Sequence, residues 1–186
     1  MFATFISFTG ALLLGLAALV APAAADLTNG WGPGIPPSPV TVPLSDSERA
    51  DLLFMREEEK LARDVYLELY DQWGLPVFRN IAAAEQAHMN AVGRLITRYA
   101  LTDPVGNNPR GVFANLELQA MYDELIARGS QSAAEALRVG IAIEEADIAD
   151  LQDALTEVSH NDIARVYGNL LNGSQRHLAA FGRYLP

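Results

Sequence analysis

The chain has 186 residues, with 13 Lys and Arg against 23 Asp and Glu, and a formal charge of −10. A nucleic-acid partner is excluded on charge, because binding a phosphate backbone draws its energy from clustered cations, whereas a negative field favours the approach of metal cations. There is no cysteine, so a disulfide framework, an iron–sulfur cluster, a thiolate zinc site and a cysteine nucleophile are all excluded.

In chain order, the first 25 residues carry no charged side chain and run through an apolar stretch, Ala11 to Val20, to Ala23-Ala24-Ala25 before Asp26. That is the pattern of a secretory signal ending in a small-residue cleavage site, and it predicts export to the periplasm or the exterior. The first basic residue is Arg49, so the segment lacks the usual positive start. An uncleaved anchor, with membrane contact through that segment alone, is the alternative, since about 20 apolar residues span a bilayer. Residues 26–44 are rich in Pro and Gly without periodicity and read as a semi-extended linker. What remains, 45–186, suits one domain of ordinary size.

Ser45-Asp46-Ser47-Glu48 is a capping-box start, and the first helix is expected to run to Trp73, where Gly74 and Pro76 stop it. A second helix is expected over 77–100, a loop over 102–114 and a short helix over 115–128. Ser132-Ala133-Ala134-Glu135 opens a third long helix to Val158, and a turn at 159–161 leads to a last helix over 162–184. No alternating apolar run suggests a sheet. The predicted fold is all-α, a four-helix bundle with one short extra helix in a long crossover.

Each long helix carries a heptad-spaced apolar seam broken near its middle. The seams are Leu52, Met55, Glu59, Ala62, Tyr66, Leu69; then Phe78, Ile81, Glu85, His88, Val92, Leu95, Tyr99; then Leu137, Ile141, Glu144, Ile148, Leu151, Leu155; and finally Ile163, Tyr167, Leu170, Ser174, His177, Phe181. Residues three and four apart share one helix face, so each acid or imidazole falls on the stripe meant for burial. An unpaired buried carboxylate costs several kcal/mol, and a shared cation would relieve all of them together. At 1.5 Å per residue, Glu59 and His88 both lie roughly 17–20 Å from the turn joining their helices. Glu144, Ser174 and His177 stand at matching levels in the second pair.

A Glu from each of two helices and Glu-x-x-His from the others is the ligand set of carboxylate-bridged di-iron and di-manganese bundles. In REEEKLARDVY, Glu59 stands seven residues before Tyr66; Glu85-Gln86-Ala87-His88 follows on the second helix, and Glu144-Glu145-Ala146-Asp147 on the third. With NGSQRHLAAF these segments resemble the ferritin-like superfamily of rubrerythrin and ferritin type, most closely a prokaryotic, often exported, ferritin-like domain-of-unknown-function family, over residues 45–185. The resemblance implies Fe or Mn held by Glu59, Glu85, His88, Glu144, Asp147 and His177. It also implies redox chemistry on O₂ or peroxide, with no catalytic group beyond the metal ligands.

Ser174 departs from the pattern, because a hydroxyl replaces neither the charge nor the denticity of a bridging carboxylate. Asp147, one turn beyond Glu144, is the candidate substitute. A single metal held by a subset of these groups stays open, as do a non-catalytic iron-handling module and a helical interaction domain with a degenerate site. Tyr66 and Tyr167 are expected to support ligands by hydrogen bonds. Glu57, Glu58 and Glu145 lie off the seams and are expected on a solvated face, although a helix rotation of about 100° would let Glu58 or Glu145 replace its neighbour; His160 is expected to be structural, and no chemistry is assigned to residues 107–111.

Overall fold

A computed structural model of the chain describes residues 42–185. The expected signal segment and nearly all of the linker lie outside the described residues. Five helices follow in order: α1 (Asp46–Trp73), α2 (Pro76–Arg98), α3 (Leu116–Gly129), α4 (Ala133–Glu157) and α5 (Asn161–Gly182). Their bounds agree with the sequence expectation to within two residues, and no strand occurs among the described residues. None of the described helices is long and apolar enough to cross a membrane.

The helix ends follow local chemistry. The Ser45 hydroxyl accepts from the Glu48 N–H while the Glu48 carboxylate accepts from the Ser45 N–H, closing the capping box. Gly74 ends α1 at φ 66°, a left-handed conformation open to glycine at no steric cost, and its N–H reaches Tyr70 O. Pro76 then begins α2, where its missing N–H forfeits no helical bond. Ser132 caps α4 through the Glu135 N–H.

α1 with α2, and α4 with α5, form two antiparallel hairpins. α1 also packs on α4, and α2 on α5. At one end, Glu48 at the start of α1 meets Ser159 and His160 in the α4–α5 turn, and Tyr99 after α2 meets Asp162 at the start of α5. At the other end, Trp73 donates to Gly129 O and the Phe78 and Phe181 rings pack at a tilt, 5.4 Å between centres. Every neighbouring pair of long helices is therefore antiparallel. Because α2 ends at the level where α4 also ends, the segment joining them must cross the full length of the bundle.

That crossover lies along α1 and determines what α1 can bury. Asp103 pairs with Arg56, Pro109 O accepts from Lys60, and the Gly111 N–H donates to Asp64. Lys60 and Asp64 form a fully enclosed ion pair, and Lys60 also sits 4.4 Å from the centre of the Phe113 ring. Both carboxylate oxygens of Glu57 accept from the N–H groups of Ala114 and Asn115, just before α3. The expected solvated face of Glu57 and Glu58 is thereby corrected, for both are buried. The crossover and α4 cover the sides of α1 that an isolated hairpin would leave to water. Glu145 is exposed, as expected.

The core falls into two apolar clusters. One, under α3, includes Tyr66, Leu69, Phe78, Ile81, Leu137, Ile143 and Phe181. The other includes Leu52, Met55, Val92, Leu95, Leu151, Ile163, Tyr167 and Leu170. On each long helix the break between the clusters comes at the polar seam positions, so one polar layer divides the core.

The Glu48 junction yields a stability prediction. Glu48 accepts from Ser159 N–H at 2.8 Å and stands 2.7 Å from His160 Nδ1. Burial alone would raise its carboxyl, but hydrogen bonds from His160, Ser45 and Ser159 hold it well below the usual value of 4.5. A carboxyl depressed in the folded state gives stability that is complete above its unfolded value and is lost as pH falls below it. Glu48→Gln should cost about 1–3 kcal/mol at neutral pH, measured by urea unfolding, with a shallower loss of stability than wild type in acid.

Candidate metal centre

The polar layer is built from the midpoints of four helices. α1 contributes Glu59, α2 contributes Glu85 and His88, α4 contributes Glu144, and α5 contributes His177. Their ligand atoms form two groups, Glu59 with Glu85 and His88, and Glu85 with Glu144 and His177, each with all atoms within 4.8 Å of one another. Glu85 belongs to both. Its Oε2 lies 2.7 Å from His88 Nδ1 and its Oε1 lies 2.8 Å from His177 Nδ1. A second carboxylate stands by each imidazole: Glu59 Oε2 is 3.2 Å from His88 Nδ1, and Glu144 Oε2 is 3.5 Å from His177 Nδ1. The three glutamates are almost wholly buried.

Hydrogen bonding does not satisfy this layer. Glu59 Oε1, Glu85 Oε1, Asp147 Oδ1 and His177 Nδ1 are buried without a hydrogen-bond partner among the described residues. The close approach of His177 Nδ1 to Glu85 Oε1 is thus a short contact lacking hydrogen-bond alignment, as two ligands of one ion would make. Buried polar atoms are seldom left unpaired in folded proteins, and several at one point call for a missing counter-charge.

Titration of the layer reflects the same deficit. Burial raises Glu59 well above its usual value, with the charges of Asp147 and Glu85 adding to it. Glu144 rises to about 7 because burial and the Glu85 charge outweigh its contact with His177. Burial likewise lifts Asp147 to about 7 against the hydrogen bond from Ser174. Glu85 moves the other way, to about 2, since His177 and His88 more than offset its burial. For His177, burial acts downward, but Glu144 and Glu85 carry it up to about 9. His88 is raised against its burial by Glu85.

The remaining expected residues are placed as follows. The Tyr66 hydroxyl donates to Glu144 Oε1 at 2.7 Å, which fixes that carboxylate against the helix beneath it. Ser174 donates to Asp147 Oδ2, with Leu170 O 3.0 Å from the same hydroxyl. Asp147 thus lies beside the two triads without joining either. Tyr167 corrects the expectation made for it: its hydroxyl is buried without a hydrogen-bond partner among the described residues, and its ring fills the second apolar cluster. Residues 107–111 also have a role, since they cover the Lys60–Asp64 pair.

Two participants stand outside the expected ligand set. Glu58 is buried one position from Glu59, against Asp150 of α4, and its Oε2 has no hydrogen-bond partner. Gly173 is the second. A Cβ there would come within 2.6 Å of His88 Nε2, so the bare backbone of α5 makes the space for that ring, which also stacks on His177 at 5.6 Å. A glycine in mid-helix beside the expected ligand positions was the available signal.

A helical bundle with a buried, duplicated carboxylate–imidazole layer defines the class of protein. Residues 48–186 match the family described as Uncharacterized protein domain (DUF2202), and the chain belongs to that family. It is 48% identical over 143 residues to Uncharacterized protein MJ0754 of Methanocaldococcus jannaschii, covering 77% of each chain. The crystal structure of hypothetical protein MJ0754 from Methanococcus jannaschii DSM 2661 is similar at a TM-score of 0.77 and 46% identity, covering 82% of this chain and 85% of that one.

Gly173→Ala should push the His88 ring off Glu85 while sparing the helices, at a cost of about 1–3 kcal/mol for overpacking. Gly168→Ala, where a Cβ meets nothing within 4 Å, should stabilise α5 by up to about 1 kcal/mol through helix propensity. Thermal unfolding of the pair, with His88 ring shifts followed by NMR, checks both.

Proposed function

We propose that the chain is a ferritin-like protein whose polar layer holds two divalent ions, Fe or Mn, bridged by Glu85, and that it performs redox chemistry on O₂ or peroxide. The observation that carries this reading is the sharing of Glu85, whose two oxygens each face a different imidazole. Neighbouring long helices all antiparallel, with one long crossover, is also the connectivity of ferritin-like bundles. The donor set fits the ions: carboxylate oxygens and imidazole nitrogens suit Fe and Mn, and no thiolate competes. Glu59 and His88 would hold one ion, Glu144 and His177 the other, and Glu85 both. Such ions would supply electron transfer to a small oxidant.

The chain's own residues supply the rest. Tyr66 fixes Glu144, Gly173 seats His88, and the apolar clusters on either side keep bulk water from the layer. Binding competes with protons for Glu59, Glu144 and the imidazoles, so affinity falls as pH drops, first through about 9, the value of His177, and again through about 7, the value of Glu144. Export follows from the uncharged N-terminal 25 residues and is tested by fractionating cells that express the full chain.

A second reading, a non-catalytic metal-handling module, draws on Ser174. Its hydroxyl is spent on Asp147, so the side of the layer between α4 and α5 has one carboxylate fewer than a symmetric site. Two divalent ions then meet three glutamates, with Asp147 alone in reserve.

Elemental analysis of protein purified without chelator should find Fe or Mn. Glu85→Gln should lose both ions, His88→Ala about one, and the exposed Glu145→Gln none. Removing the metal should lower the melting temperature by several degrees, since an ion present at about 100 times its Kd stabilises by roughly 2.7 kcal/mol. Metal-free wild type with an unchanged melting curve on adding Fe(II) or Mn(II) would refute the centre.

Ser174→Glu separates the two readings. If catalysis is limited by the missing carboxylate, the variant should bind the second ion more tightly and consume O₂ or peroxide faster, and Asp147→Asn should do the reverse. Unchanged turnover in a fully loaded variant would favour the metal-handling module.

A further inference from the structure

A groove of about 360 Å³ opens between α1 and α4, and its charged lining is wholly acidic: Asp51 on α1, and Asp150, Asp153 and Glu157 on α4. No Lys or Arg among the described residues lines it. These acids repel one another; the charges of Glu157, Glu48 and Asp150 all bear on Asp51, whose carboxyl burial also raises. Four like charges on one cleft without a compensating cation lower stability, so a purely structural role leaves them unexplained.

The groove leads inward. Glu58, the next residue along the Asp51–Met55 face of α1, is buried and has an oxygen without a hydrogen-bond partner among the described residues. Asp147, one turn before Asp150 on α4, is also buried and keeps Oδ1 without a partner among the described residues. On α1, Asp51, Met55 and Glu58 share one helical stripe; on α4, Asp147, Asp150 and Glu157 are likewise spaced by three and seven. The carboxylates therefore form a ladder along the α1–α4 seam, from solvent to the edge of the first triad.

We propose that this ladder is the entry route for divalent cations, with the groove collecting hydrated ions and Glu58, between Asp150 and Asp147, serving as a transfer site on the way to the centre. The route rests on the metal-binding function proposed above and adds where the ion enters. Fields focused in clefts of one sign raise the arrival rate of counter-ions by roughly 10–1000-fold and are screened by salt. The groove acids touch neither triad, so they govern the rate of loading and leave the final occupancy alone.

The test follows Fe(II) uptake anaerobically by metal-free full-length protein, stopping aliquots with excess chelator and counting iron by elemental analysis. Wild type should load to its full complement at a rate that falls as salt is raised. Asp51→Asn combined with Asp153→Asn should reach the same final content on the order of tenfold more slowly at low salt, with most of the salt dependence gone. Glu58→Gln should slow loading at every salt concentration, while Glu117→Gln, on the remote helix α3, should load as wild type does. Thermal melts confirm that each variant is folded. Equal rates for wild type, the double variant and Glu58→Gln would overturn the route while leaving the centre intact. A wild type that takes up neither Fe(II) nor Mn(II) would overturn the proposed function and the route with it.

Discussion

The organisation of this bundle depends on the cost of placing carboxylates in an apolar core. Glu59, Glu85 and Glu144 meet where four helices are most enclosed, and desolvation there opposes every negative charge. Glu85, with an imidazole at each oxygen, is held toward its ionised form, whereas burial raises Glu59 and Glu144. Much of the surrounding structure follows from this. The apolar packing is split in two around the layer, Tyr66 is drawn in to restrain Glu144, and Ser174 turns toward Asp147. Each arrangement lowers the cost of the central charges without removing it.

The crossover contributes at a distance from the layer. By lying along α1 it buries Glu57, Lys60 and Asp64, and it answers each with a specific partner: backbone amides for Glu57, Asp64 and a carbonyl for Lys60. This enclosure stiffens the stretch of α1 that presents Glu58 and Glu59. Arg56, one turn earlier, is held by Asp103 and by Met89 O, which ties the same stretch to α2. The side of the centre that carries the first triad is therefore braced by two segments, the crossover and α2.

The fold and the central residues could be read from sequence because both follow from periodicity. Glu59, Glu85, His88, Glu144 and His177 interrupt apolar seams at matching heights, and a seam position predicts burial whatever residue fills it. Glu58 and Glu57 could not be placed this way, since their burial comes from α4 and the crossover, long-range partners with no trace in the spacing on α1. Tyr167 shows the converse limit: its seam position correctly gives burial, but the direction of its hydroxyl depends on which neighbours reach it, and none does. The role of Gly173 lies in the absence of a side chain, and only the position of the His88 ring gives that absence a meaning.

The sharing of Glu85 makes the two triads unequal in origin. Glu59, Glu85 and His88 all belong to the α1–α2 hairpin, so the first triad is complete as soon as that hairpin closes. Glu144 and His177 belong to the other hairpin and lack a bridging partner until the two hairpins dock. Local contacts form before those that must close a long loop, which orders the two triads in time during folding. The second triad is consequently a marker of tertiary assembly: a chain with its hairpins formed but undocked has one cluster of ligands, and a fully assembled chain has two.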